Sequence, residues 1–87
     1  MWHEKDETLR SELLFNDFVD AFSFMKRVAE LAELHQHHPN WCNVYNRVSI
    51  KLTTHDAGNR LTTKDYALAE AISELPGFKD AVQPCEL

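Results

Sequence analysis

Four of the five histidines of this 87-residue chain fall within one short stretch, at His35, His37, His38 and His55, with Glu33, Pro39 and Tyr45 among them. An imidazole with an unperturbed pKa of about 6.5 populates both protonation states near neutrality, so such a density suits proton transfer. Positioned acid–base catalysis is typically worth about 10² to 10⁴ in rate. Pro39 biases His38 toward an extended backbone. His37 and His38 are adjacent, so on extended backbone they diverge: one faces a pocket while the other reaches its edge or holds a neighbour. Taken singly, each also has a plainer reading, His37 or His38 as a helix C-terminal cap and His55 as a solvated turn residue. Four imidazoles also raise the question of zinc or copper. The chain has neither Cys-x-x-Cys nor His-Glu-x-x-His, and divergent neighbours chelate poorly, so no metal site is expected.

The array runs Glu33, three residues, His37-His38-Pro39, five residues, Tyr45, nine residues, His55, nine residues, Asp65. With Trp41, Asn43-Val44-Tyr45-Asn46, Thr53-Thr54-His55-Asp56-Ala57-Gly58 and Leu61-Thr62, it resembles the pterin-4a-carbinolamine dehydratases from Trp2 to about Leu75. The resemblance implies a dehydratase that protonates the departing hydroxyl at C4a of a 4a-hydroxytetrahydropterin and takes a proton from a ring nitrogen. The products are quinonoid dihydropterin and water, formed in pterin recycling with no cofactor. It also implies catalytic roles for His37, His38 and His55, with His38 and His55 nearest C4a and His37 in substrate binding or proton exchange.

Glu33, Trp41, Tyr45 and Asp65 are expected to bind substrate or support the histidines. Glu33 would orient His37 or form a surface ion pair. Asp65 would cap a helix, contact a catalytic histidine, or both. Trp41 and Tyr45 would wall the pterin or belong to the core, and Trp2 is open in the same way. His35 and His3 stand outside the pattern and are read as exposed. Relatives often carry an acidic residue before the His-His pair, where this chain has the neutral Gln36. A functional link to an aromatic amino acid hydroxylase is implied. The alternative is a non-catalytic pterin-binding or protein-dimerisation module, against which the retention of all three histidines speaks.

The elements that would position these groups read as β-β-α-β-β-α. Trp2 to Phe15 has hairpin character, with Leu9, Leu13 and Phe15 on one face and Lys5-Asp6-Glu7 as a polar turn. Asn16 or Asp17 caps a helix running to about His35, with Phe18, Ala21, Phe22, Met25, Val28, Ala29 and Ala32 as its core stripe. Phe24, Leu31 and Leu34 then project from the other side, a second stripe expected to pack against another subunit. Arg47 to Thr54 alternates as a strand, Val48, Ile50 and Leu52 against Ser49, Lys51 and Thr53, and pairs with Trp41 to Tyr45 through a turn near Asn46. Thr62 and Asp65 form a capping box, with Leu61 and Tyr66 as the staple, for a helix whose core face is Leu68, Ala69, Ile72 and Leu75. Pro76-Gly77 ends it, and the last ten residues have too little pattern to assign.

The expected fold is therefore α+β, a four-stranded antiparallel sheet with two helices on one face, in one domain over residues 1–87. The family's usual N-terminal helix is expected to be lacking, and a homodimer or homotetramer is expected through the first helix and the sheet edge. Fourteen acidic against nine basic side chains give a net charge of −5, which with no dense Lys/Arg cluster speaks against nucleic-acid binding. No apolar run exceeds four residues, so neither a membrane span nor an export signal is expected. Hydrophobic content of 44% excludes general disorder, the C-terminal tail aside. Cys42 and Cys85 suit a reducing cytoplasm, Cys42 as a small packing residue.

Overall fold

The computed structural model of the chain describes residues 1–83. Strands β1 (His3–Lys5) and β2 (Thr8–Leu14) form the first hairpin, followed by helix α1 (Phe18–His35). Strands β3 (Asn40–Val44) and β4 (Arg47–Leu52) form the second hairpin, followed by a 3₁₀ turn (His55–Ala57) and α2 (Thr63–Ser73). A short α3 (Phe78–Ala81) and a two-residue strand β5 (Val82–Gln83) follow. The sheet is antiparallel in the order β1-β2-β4-β3, with β5 pairing β2 beyond the end of β1. The α+β expectation is met, with α3 and β5 added where no pattern was legible. Cys85 and the expected tail disorder lie outside the described residues.

Alternation builds the sheet. Leu9 and Leu13 of β2 and Val48, Ile50 and Leu52 of β4 point to one face, where Ala21, Phe24, Val28 and Ala32 of α1 and Leu68, Ala69 and Ile72 of α2 close the core. Asp17 caps α1, its carboxylate accepting from the Asp20 amide at 2.9 Å. Thr62 and Asp65 form the capping box of α2 as read. Trp2 belongs to the core layer: it stacks on Phe78 at 6.0 Å, and its indole N–H donates to Ser73 Oγ at 2.7 Å. The first hairpin turns through Asp6 and Glu7, both at positive φ as a two-residue reversal requires.

The apolar stripe of α1 is rotated from the expected one. Phe24 is 3% exposed in the core and Leu31 packs against it, while Phe18 and Phe22 are 45% and 43% exposed and Ala29 faces out. The reason is geometric. Apolar side chains occupy an arc of α1 wider than one sheet face covers, and the sheet takes the wedge where small Ala21 and Ala32 admit close approach. Of the expected second stripe only Leu34 is fully exposed, and the open apolar strip is Phe18, Val19 and Phe22. Cys42 is exposed on the outward face of β3, so it does not pack in the core.

Candidate active site

Helix α1 ends by placing Gln36 in the left-handed region, φ 52°, where the His37 amide still bonds back to the Ala32 carbonyl at 3.0 Å. The Gln36 side-chain amide donates to the Glu33 carbonyl at 2.7 Å, a capping bond a carboxylate could not make. The neutral residue at this position thus has a structural role. The reversal sends the two following side chains to opposite sides. His37 turns inward and is 8% exposed, while His38, ahead of Pro39, stays outside.

His37 Nε2 lies 2.6 Å from Oδ1 of Asp65, which is fully buried at the start of α2. The second carboxylate oxygen, Oδ2, accepts from the Thr54 hydroxyl at 2.7 Å and from the Thr62 amide at 2.9 Å. Thr54 Oγ1 also lies 2.6 Å from Thr62 Oγ1. Asp65 therefore both caps the helix and contacts a histidine. An ionised Asp65 can only accept, which puts the shared proton on His37 Nε2 and leaves Nδ1 its lone pair in the neutral ring. His37 Nδ1 makes no hydrogen bond to the described residues. Among them the sole fully sealed side-chain nitrogen or oxygen without a partner is His3 Nε2, so Nδ1 is not sealed off, and it belongs to a residue lining the hollow described below.

Glu33 pairs with His38, Nε2 to Oε2 at 2.6 Å, with both side chains largely exposed at 64% and 72%. Of the two options for Glu33, the surface contact is the one formed, to His38, and the orientation of His37 falls to Asp65. His55 opens the 3₁₀ turn and is exposed; its Nδ1 lies 3.0 Å from the Asn59 amide oxygen, with Asn59 at positive φ. Gly58, at φ 81°, closes that turn. All three histidines line one hollow of about 220 Å³ with Gln36, Thr53, Thr54, Asp56 and Lys64. Hollows of about 320 Å³ beside Phe15, Ser23 and Arg27, and of about 500 Å³ along residues 73–80, contain none of the array.

The other sequence candidates lie apart from the hollow. Trp41 is half-buried against the core, and Tyr45 sits at the far turn of the β3–β4 hairpin, 62% exposed with φ 52°. His35 and His3 are half-buried, where exposure was expected. Sequence reasoning assigned no role to Thr54, Asn59 or Lys64. The signal for Asn59 is an Asx residue four positions after a histidine, beside a glycine. Thr54 is a hydroxyl just before His55 at a strand end. Among the described residues, no three His, Cys, Asp or Glu side chains converge to hold a metal ion, and no helix is long and apolar enough to cross a membrane.

The family model for pterin 4 alpha carbinolamine dehydratase matches residues 1–75. A protein of Synechococcus sp. (strain WH7803) named "Putative pterin-4-alpha-carbinolamine dehydratase" is 55% identical over 74 residues, 85% of this chain and 78% of the relative. The crystal structure of a transcriptional coactivator/pterin dehydratase from Brucella melitensis superposes with a TM-score of 0.77 at 39% identity, covering 83% of this chain and 78% of that one. A pterin dehydratase-like protein identified as a RuBisCO assembly factor in the alpha-carboxysome shares the fold at TM-score 0.70 and 22% identity, with 88% of each chain covered. A hollow lined by three histidines and a match over residues 1–75 lead to one assignment: the chain belongs to the pterin-4a-carbinolamine dehydratase family.

Proposed function

We propose that this chain dehydrates a 4a-hydroxytetrahydropterin to quinonoid dihydropterin and water by histidine acid–base catalysis. The observation that carries this reading is that His37, His38 and His55 line one hollow, each held through one ring nitrogen by a different acceptor. The acceptors are the Asp65 and Glu33 carboxylates and the Asn59 amide oxygen, on α2, α1 and the loop after the 3₁₀ turn. Each imidazole thus keeps its other nitrogen for substrate.

His37 Nδ1 has its lone pair free and takes the proton from the pterin ring nitrogen. His38 and His55 stand nearest C4a, and one of them in its protonated form gives the proton with which the hydroxyl leaves as water. The proton gained at His37 and the one lost at the acid balance, and exchange with solvent resets both. No metal or organic cofactor is needed for this step. Trp41 and Tyr45 do not wall the hollow within one chain, so an aromatic contribution from them would come through association of copies. An assembly through α1 would use the open Phe18, Val19 and Phe22 strip together with the free edge of β3. The setting we infer is cytoplasmic pterin recycling beside an aromatic amino acid hydroxylase, whose spent cofactor leaves as the 4a-carbinolamine.

The test follows the decay of enzymatically generated 4a-hydroxytetrahydropterin by ultraviolet absorbance. The wild-type chain is expected to accelerate it, with losses on the order of 10² or more in His38→Ala and His55→Ala variants that keep their circular dichroism. A wild-type rate equal to that of buffer would replace the enzyme with a non-catalytic pterin-binding or dimerisation module.

A further inference from the structure

The sheet face turned away from the helices carries a charge pattern that neither the fold nor the dehydration uses. Strand register sets His3 opposite Arg10, Arg10 opposite Lys51 and Lys51 opposite Asn40, so one row crosses all four main strands. Directly opposed like charges destabilise an antiparallel pair, and Arg10 and Lys51 are such a pair at its centre. Counting outward positions, Lys5, Arg10, Arg47 and Lys51 place four of the nine basic residues on this face, against the single carboxylate of Glu12. Glu12 hydrogen-bonds to Ser49, and among the described residues no carboxylate lies within ion-pair distance of Arg10 or Lys51. A chain of net charge −5 thus gathers unneutralised cations on its open sheet surface.

The same row is made of hydrogen-bond donors. Arg10 Nε is tied to Thr8 Oγ1 at 3.0 Å, which holds the side chain while both terminal guanidinium nitrogens stay free. That fork matches two oxygens of a phosphate group, and the Lys51 ammonium and Asn40 amide supply donors beside it. His3, at the end of the row, has a sealed Nε2 with no partner. Between Arg10 and Asn40 the surface dips into a groove of about 230 Å³ lined also by Glu12, Cys42, Ser49 and Lys51, room for one small group.

We infer that this row is a binding site for a small phosphate-type oxyanion, with Arg10 and Lys51 as its charged contacts and Asn40 as a neutral donor. A bound dianion turns the opposed cations from a repulsive pair into a clamp. The groove shares no lining residue with the hollow of the three histidines, so the two sites are separate. Cations concentrated in one compact row suit a single anionic group better than an extended nucleic-acid backbone.

The experiment titrates the nitrogen-15-labelled chain with inorganic phosphate, and separately with glycerol 3-phosphate, at constant ionic strength. Saturable shifts are expected at the amides of Arg10, Asn40 and Lys51. Affinity should fall about tenfold or more in Arg10→Gln and in Lys51→Gln and hold in the α1 control Lys26→Gln. Tighter binding of one ligand identifies free phosphate or a phosphate ester as the source. Without ligand, Lys51→Gln should melt at or above the wild-type temperature because the repulsion is gone, and phosphate should raise the Tm of the wild type alone. Shifts that grow without saturating, or that persist in both variants, would overturn the proposal. So would saturation by a single-stranded oligonucleotide but by neither small anion.

Discussion

His37 and His38 are neighbours in sequence, and each holds a carboxylate at 2.6 Å, yet the two pairs are physically different objects. The His37–Asp65 pair is buried between α1, the end of β4 and α2, and both carboxylate oxygens are engaged. The His38–Glu33 pair stands in water, where an ion pair is worth about 0 to 1 kcal/mol and salt screens it. Distance alone would rank them equal. Burial and the hydrogen bonds behind the carboxylate separate them: the inner pair fixes a tautomer and a ring position, and the outer pair leaves its ring free to adjust.

The inner pair is disrupted most severely at Asp65. Asp65→Ala would strand the His37 N–H, the Thr54 hydroxyl and the Thr62 amide together, and should cost about 3 to 5 kcal/mol in urea unfolding. Thr54→Val removes one donor to that carboxylate while keeping the shape of the side chain. It should cost about 1 to 3 kcal/mol and lower the dehydration rate, with Thr54→Ser restoring both. Glu33→Gln, the matching change in the outer pair, should move stability by no more than about 0.5 kcal/mol, with any rate loss shrinking at high salt.

The smallest effect belongs to another exposed contact, the hydrogen bond from the Tyr66 hydroxyl to Glu4. That bond, with lesser contributions from burial and nearby carboxylates, raises the Tyr66 pKa above its ordinary value of 10.0. A raised pKa favours the neutral phenol in the folded state. Its contribution is therefore present below the unfolded tyrosine pKa and is lost as pH rises through the higher folded one. Alkaline melting curves of wild type and Tyr66→Phe should differ slightly at neutral pH and converge well above pH 10.

Local grammar made much of this legible in advance. The alternation of β4 and the caps at Asp17 and Thr62 each depend on a few adjacent residues, and they stand where read. The histidine array placed three groups that do share a hollow. What escaped depends on contacts distant in sequence. The choice between two apolar wedges of α1 is made by the sheet, since the helix alone is apolar over both. The partner of Asp65 is decided by the left-handed turn at Gln36, which sends His37 inward across 28 positions of sequence. Tyr45 and Trp41 match the pattern by spacing, but β3 carries Tyr45 away from His38 toward the opposite end of the hairpin. The β5 pairing has two residues and no periodicity to reveal it.

The most direct measurement compares saturated dehydration rates of wild type, Asp65→Asn and Glu33→Gln, all confirmed folded. Wild type should show clear catalysis, with a loss on the order of 10² or more when Asp65 can no longer hold the His37 ring and a loss under about tenfold for Glu33→Gln. Equal losses in the two variants, or a wild-type rate in Asp65→Asn, would contradict this difference between the two pairs.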